Sequence, residues 1–212
     1  MKILFFGDSI TSAENNGFNG FVEKLNLSDY KNYGVSGSTI GDYSIYPVFD
    51  SHLIKLLQIH EHEIITADII FLEYGCNDIS AVISGYTTMR RIILDLIKAK
   101  DYIMQLNPNI KIFFIGLGNA AQTLAINQCN YLNSEYLRDL SICIDNNQWL
   151  GLYKEFERAV KAVIPNYLSL LSAQGLTNIL LDSDMIHPND AGYQAISDDI
   201  LQQLNNHSIF VL

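Results

Sequence analysis

The sequence predicts an α/β sandwich built on a parallel sheet, and three observations predict it. Short, continuously apolar runs recur at Ile3–Phe6, Ile69–Leu72, Ile112–Ile115 and Ile179–Leu181. Segments with apolar residues at three- and four-residue steps lie between them. The loops that follow the runs carry Gly, Ser, Asn and Asp. Apolar runs without alternation suit strands buried on both faces, the parallel-sheet pattern. Strands that alternate with helices place those helices on the faces of the sheet. Ligands in such a fold bind beyond the C-terminal ends of the strands.

The elements follow in order. Ile3–Phe6 opens the chain as a buried strand, and Tyr30–Val35 is a weaker one. A helix is expected from about Thr88 to Leu106, where Met89, Ile92, Ile93, Leu96, Ile97, Ile103 and Leu106 line one face. Asn107-Pro108 ends it, because proline disfavours helical geometry in the residue before it. A second helical region runs from about Leu152 to Ala173, stopped by Gly175 and kinked or split at Pro165. Ile179–Leu181 is expected as the last strand. A final helix follows Pro188 and uses Tyr193, Ile196, Ile200 and Leu204.

Composition narrows the class of function. The 212 residues are 49% hydrophobic and 17% charged, enough for one domain over 1–212 with a full core. A net charge of -10 disfavours nucleic acid and anionic membrane surfaces as partners, since both are polyanions. No run of 18 or more apolar residues predicts a membrane span, and no export signal is read at the start. Cys76, Cys129 and Cys143 are an odd count without paired spacing, so reduced thiols in a cytoplasmic protein are expected.

The loops after the strands hold the chemistry. Gly7-Asp8-Ser9 follows the first strand and Gly34-Val35-Ser36-Gly37-Ser38-Thr39 the second. Gly75-Cys76-Asn77-Asp78 follows the third, and Asp182 to Pro188 the last. All four are expected at one rim of the sheet. A serine hydroxyl is a poor nucleophile until a base lies within hydrogen-bond reach. His187 is a suitable base, since an imidazole titrates near neutrality. Asp184, three residues earlier, has the spacing to accept from the other ring nitrogen. An oxyanion needs donors, and the Gly37 and Ser9 backbone N–H groups and the Asn77 amide are the candidates. Asp8 is expected to cap the following helix or support the site by hydrogen bonding.

These segments resemble the sequence blocks of the SGNH hydrolase superfamily, the GDSL-type esterases, lipases and acylhydrolases. The resemblance rests on Gly7-Asp8-Ser9, Gly37, Gly75-x-Asn77-Asp78 and Asp184-x-x-His187, in that order across almost the whole chain. It implies a three-layer α/β/α sandwich, flavodoxin-like, with about five parallel strands. It also implies Ser9 as nucleophile, His187 as base, Asp184 as its orienter, and Ser9, Gly37 and Asn77 as oxyanion donors. The implied activity is hydrolysis of an acyl or acetyl ester through an acyl-enzyme, with no cofactor and no metal. Its partner is a small-molecule ester: an acetylated sugar, a lysophospholipid or another acyl ester. An acyltransferase on the same scaffold, or a non-catalytic flavodoxin-like binding module, are the alternatives.

Other candidates read more plainly. His60-Glu61-His62-Glu63 has no obvious third ligand and reads as a solvated helix end. Gly116-Leu117-Gly118-Asn119-Ala120-Ala121 matches a dinucleotide motif, but no helix, strand and acidic residue follow at the needed spacing. Cys76 reads as packing, and Ser36 and Ser38 as shaping the loop that presents Gly37. Tyr43, Tyr46, Tyr86, Tyr131, Tyr136 and Trp149 lie mainly outside the predicted strands, and either line a pocket or cover core edges. Substrate choice is expected from Asn119–Leu150 and Ile40–Val48.

Overall fold

The computed structural model describes residues 1–14, 19–43, 51–121, 123–125, 145–170, 180–182 and 186–206. Strands β1 (Ile3–Gly7), β2 (Tyr30–Gly34), β3 (Ile69–Glu73), β4 (Lys111–Gly116) and β5 (Tyr167–Ser169) form one sheet in the order β2-β1-β3-β4-β5. Every pairing is parallel.

Register explains how both faces become covered. Phe5 pairs with Phe71 and Phe71 with Phe113, so these rings share one face, with centroids 4.8 and 5.3 Å apart. Phe21, from helix α2 (Phe21–Lys24), meets Phe5 edge-on on that side. The next residue along β1 points the other way. Phe6 lies beside Tyr33 and His60, and Phe114 on the same face meets Phe156. Burying such a ring contributes about 1.5–3 kcal/mol. Because both faces offer apolar side chains, helices must cover both.

Helices α3 (Leu53–Ile59), α6 (Met89–Leu106) and α7 (Asn146–Val163) pack in series, α3 on α6 and α6 on α7. Helix α2 packs instead against α8 (Asp190–Asn206). Thr88 caps α6 by accepting from the Arg91 N–H. The expected stripe is buried at Ile92, Leu96 and Ile103, with Ala99 between them, while Ile97 faces solvent. In α8, Tyr193, Ile196, Ile200 and Leu204 are buried as expected.

Two expectations at the C-terminal half need correction. The helix expected to reach Ala173 ends at Val163, because Ile164 precedes Pro165 and takes up extended geometry. The chain then forms β5 at Tyr167–Ser169, inside the stretch read as helical. Of the strand expected at Ile179–Leu181, Ile179 lies outside the described residues, and Leu180 and Leu181 do not join the parallel sheet; Leu181 makes one antiparallel bridge to Pro188. Only Leu168 of β5 is wholly buried, so three residues gave too weak a period to separate from helix.

Trp149, expected to line a pocket or cover a core edge, is fully buried and stacks on Tyr153 at 5.6 Å. The Gly116 and Gly118 motif has a packing cause. A Cβ at Gly116 would overlap the Tyr167 ring, and one at Gly118 would come 2.6 Å from Ser169. No described helix is long and apolar enough to cross a membrane.

Candidate active site

Three strand ends meet at one point of the rim. Gly7 closes β1 and pairs with Gly34 of β2 on one side and Glu73 of β3 on the other. The chain then turns at once into α1 (Ser9–Ser12), folded back over the strand ends. Glycine permits this. A Cβ at Gly7 would overlap the Thr11 side chain and sit 2.8 Å from the Glu73 carbonyl oxygen. A Cβ at Gly34 would sit 2.8 Å from the Thr11 carbonyl carbon.

Asp8 caps α1: its Oδ1 accepts from the Ile10 N–H at 3.0 Å. That satisfies one of the donors a helix start leaves without a partner. Ser9 is the first residue of α1 and is partly exposed. Asp8 is 1% exposed.

Gly37 sits in the turn after β2, where the Ser38 N–H donates to the Val35 carbonyl at 3.0 Å. Its φ of +77° at the third turn position is what a type II turn requires and what a side chain resists. The Ser38 carbonyl accepts from Asn77 Nδ2 at 3.0 Å, and the same nitrogen lies 3.4 Å from Asp8 Oδ2. One buried amide therefore ties the first, second and third loops together. The Ser38 hydroxyl donates to the Ser51 carbonyl, which fits a shaping duty.

Asn77 and Asp78 lie in the first turn of α5 (Cys76–Ile83). Gly75 precedes it with φ +133°, and a Cβ there would press on the Phe156 ring at 2.7 Å. Asp78 Oδ1 accepts from the Ile40 N–H and the Tyr43 hydroxyl, each at 3.0 Å. These bonds hold the far end of the Gly37 loop. Burial pushes the Asp78 carboxyl up to about 7.

His187 is held by a short double-back of the chain. The Asp182 N–H donates to the His187 carbonyl at 2.8 Å, and Asn189 Nδ2 donates to the Leu181 carbonyl at 3.0 Å. Asn189 Oδ1 also accepts from the Gly192 N–H in the first turn of α8. Gly192 runs so close to Leu180 that a Cβ would overlap its carbonyl oxygen. His187 is partly exposed, and its charge bears on Asp8. Ser9 at the start of α1, Asn77 on α5 and the Gly37 loop are thus tied together through Asp8 and the Ser38 carbonyl. Asp184 lies outside the described residues, as do Tyr46, Tyr131, Tyr136 and most of the segments expected to set substrate choice.

Sequence reasoning missed Glu73 and Thr11. Glu73 is 1% exposed at the end of β3, and Thr11 Oγ1 donates to its Oε2 at 2.9 Å. The signal was present: a carboxylate closing an otherwise apolar strand, Ile69-Ile70-Phe71-Leu72-Glu73. Burial pushes Asp8 up to about 6 and Glu73 well above the usual carboxylate range, the nearby Asp8 charge adding to the shift at Glu73. Cys76 is buried, in keeping with a packing role, whereas His60, expected in a solvated helix end, is half-buried and stacks on Tyr33 at 3.7 Å. No cluster among the described residues has the makings of a metal site.

Comparison with solved structures gives the same fold. The inhibitor-bound aryl esterase of M. smegmatis aligns with TM-score 0.67 at 13% identity, over 97% of this chain and 98% of that one. The lipase Lip_vut3 from a goat rumen metagenome aligns with TM-score 0.61 at 16% identity, over 95% and 96%. The family 3 carbohydrate esterase of Clostridium thermocellum aligns with TM-score 0.59 at 18% identity, over 98% and 96%. No curated protein sequence matches the chain at a significant level. The sequence profile of the GDSL-like lipase/acylhydrolase family matches residues 5–195, so the chain belongs to that family and is by class an ester hydrolase.

Proposed function

We propose that the chain cleaves a small acyl or acetyl ester through an acyl-enzyme formed on Ser9. Ser9 Oγ attacks the ester carbonyl as His187 takes its proton. The carbonyl oxygen becomes an oxyanion facing the Ser9 and Gly37 N–H groups and Asn77 Nδ2. His187 then gives its proton to the departing alcohol. Water, activated by His187, attacks the acyl carbon, and collapse of that second oxyanion returns the acid and Ser9. Asp184 is assigned as the carboxylate that orients His187.

The observation that carries this reading is the Asn77 amide. It spans the Ser38 carbonyl and the Asp8 carboxylate, fixing the Gly37 loop against the Ser9 loop. Donors held in place before the reaction cost no reorganisation during it, and each contributes about 100- to 1,000-fold in rate. Relatives of the same fold are named as an aryl esterase, a lipase and a carbohydrate esterase, which supports a carboxylic ester without choosing its acyl group.

A panel of p-nitrophenyl esters of rising chain length, followed by acetylated sugars, tests the reading. Turnover of at least one substrate by wild type, and none by Ser9→Ala, is expected. Equal turnover by the variant would remove Ser9 from the chemistry. Adding an alcohol acceptor separates transfer from hydrolysis: a transferase would pass the acyl group to it in preference to water.

A further inference from the structure

We propose that Asp8 and Glu73 form a buried carboxyl–carboxylate pair holding one proton between them, and that the pair's negative charge orients Asn77 and faces His187 beneath the nucleophile loop. The first half stands on the register, burial and hydrogen bonds of the two carboxyls, independently of the activity. The second half rests on the ester-hydrolase reading of Ser9 and His187.

Topology creates the pair. Glu73 is the register partner of Gly7, so the residue after Gly7 must emerge beside it. Both carboxyls are 1% exposed, and each bears on the other's protonation as a hydrogen-bonding neighbour. Among the described residues no Lys or Arg forms an ion pair with either. Two neighbouring buried carboxylates with no described Lys or Arg paired to them resist ionising together, because repulsion adds to the cost of burying each charge.

The hydrogen bonds say where the proton sits. Asp8 receives the Ile10 N–H at Oδ1 and the Asn77 amide at Oδ2, and both donors favour the anion. Glu73 receives the Thr11 hydroxyl at Oε2, while its buried Oε1 faces no donor. An ionised Glu73 would leave that oxygen unsatisfied. A proton on Oε1 turns it into a donor toward Asp8, and every oxygen of the pair then has a partner. Gly7 is part of the arrangement, since only its missing Cβ lets Thr11 reach down to Glu73.

The charged and titratable groups around the pair come from several elements. His187, on the segment before α8, is near enough for its charge to lower the Asp8 carboxyl. Asp78 on α5 and Tyr74 after β3 feel the Asp8 charge, and Tyr153 on α7 feels Glu73. The pair titrates as a unit, with burial raising both carboxyls above their ordinary range and the Asp8 charge raising Glu73 further.

The consequence reaches the oxyanion donor. Asn77 Nδ2 gives one proton to Ser38 at 3.0 Å and points the other at Asp8 from 3.4 Å. The longer bond is the weaker, and it is the one an oxyanion can draw on.

The test has two arms. Urea unfolding of wild type and Glu73→Gln is measured from pH 5 to pH 8, each also in a Ser9→Ala background. With one extra native proton on Glu73, the wild-type unfolding constant should rise by up to about tenfold per pH unit relative to Glu73→Gln. A protonated-carboxyl infrared band at pH 7.5, weaker in Glu73→Gln than in wild type and retained in Ser9→Ala, is expected alongside it. Parallel unfolding curves, or no such band in wild type, would overturn the shared proton whether or not the protein is an esterase. In the second arm Asp8→Asn keeps the cap and removes the charge. Its kcat should fall at least about tenfold while KM moves less than about threefold. An unchanged kcat would overturn the catalytic half.

Discussion

Replacing Asp78 with Asn should change how stability depends on pH. Asp78 is fully buried, with Oδ1 accepting from Ile40 and Tyr43 and Oδ2 facing no donor. Burial raises its folded pKa from the ordinary 3.8 to about 7. Between those values the folded chain holds a proton that the unfolded chain has released, so stability falls as pH rises through that window. At about 1.4 kcal/mol per pH unit, the loss between pH 5 and pH 8 is on the order of 3 kcal/mol. Asparagine stays neutral and can accept both bonds through its own Oδ1. Its amide nitrogen then replaces Oδ2, at a cost of about 1–3 kcal/mol if no acceptor meets it. Asp78→Asn should therefore be the less stable protein at pH 5 and close the gap, or overtake, by pH 8. Urea unfolding of both proteins at the two pH values measures the double difference, in which the shifts at Asp8 and Glu73 cancel. A double difference near zero would refute the assignment of this titration to Asp78.

The remaining predictions concern the oxyanion donor and the glycine behind it. Asn77→Ala should lower kcat on a p-nitrophenyl ester by about 100- to 1,000-fold. It should also cost about 1–3 kcal/mol in unfolding free energy, because the Ser38 carbonyl loses its buried donor; an unchanged kcat would take Asn77 out of the hole. Gly75→Ala should destabilise by at least about 2 kcal/mol, since φ is +133° and the methyl meets the Phe156 ring. Adding Phe156→Leu should recover part of that loss, and a fully stable Gly75→Ala would contradict the close approach.

Much of the site was legible because its residues are of types that chemistry or sharp geometry demands. Gly7, Gly37 and Gly75 mark a close approach, a turn and a positive φ, and each lies at the C-terminal end of a strand or in the loop that follows it. The apolar strands β1, β3 and β4 were visible for the same reason: burial on both faces leaves only apolar residues. Strand β5 was not, since its three residues follow a long amphipathic helix and share its composition. Glu73 was hidden by the rule that carboxylates avoid cores. It breaks the apolar pattern of its strand, but its partner Asp8 lies 65 residues away in sequence, and only the β1–β3 register brings them together. Trp149 was hidden by position, because a helix start after a long connection gives no sign of which face meets the sheet.

The central claim is that Ser9 is a nucleophile activated from across the chain by His187. A fluorophosphonate probe, read by intact mass and by the mass of the peptide carrying Ser9, tests it most directly. The account predicts one adduct per chain on Ser9, none in Ser9→Ala, and labelling slowed at least about a hundredfold in His187→Ala. Folded wild-type protein that takes up no probe, or takes it up on Ser38 instead, would contradict it.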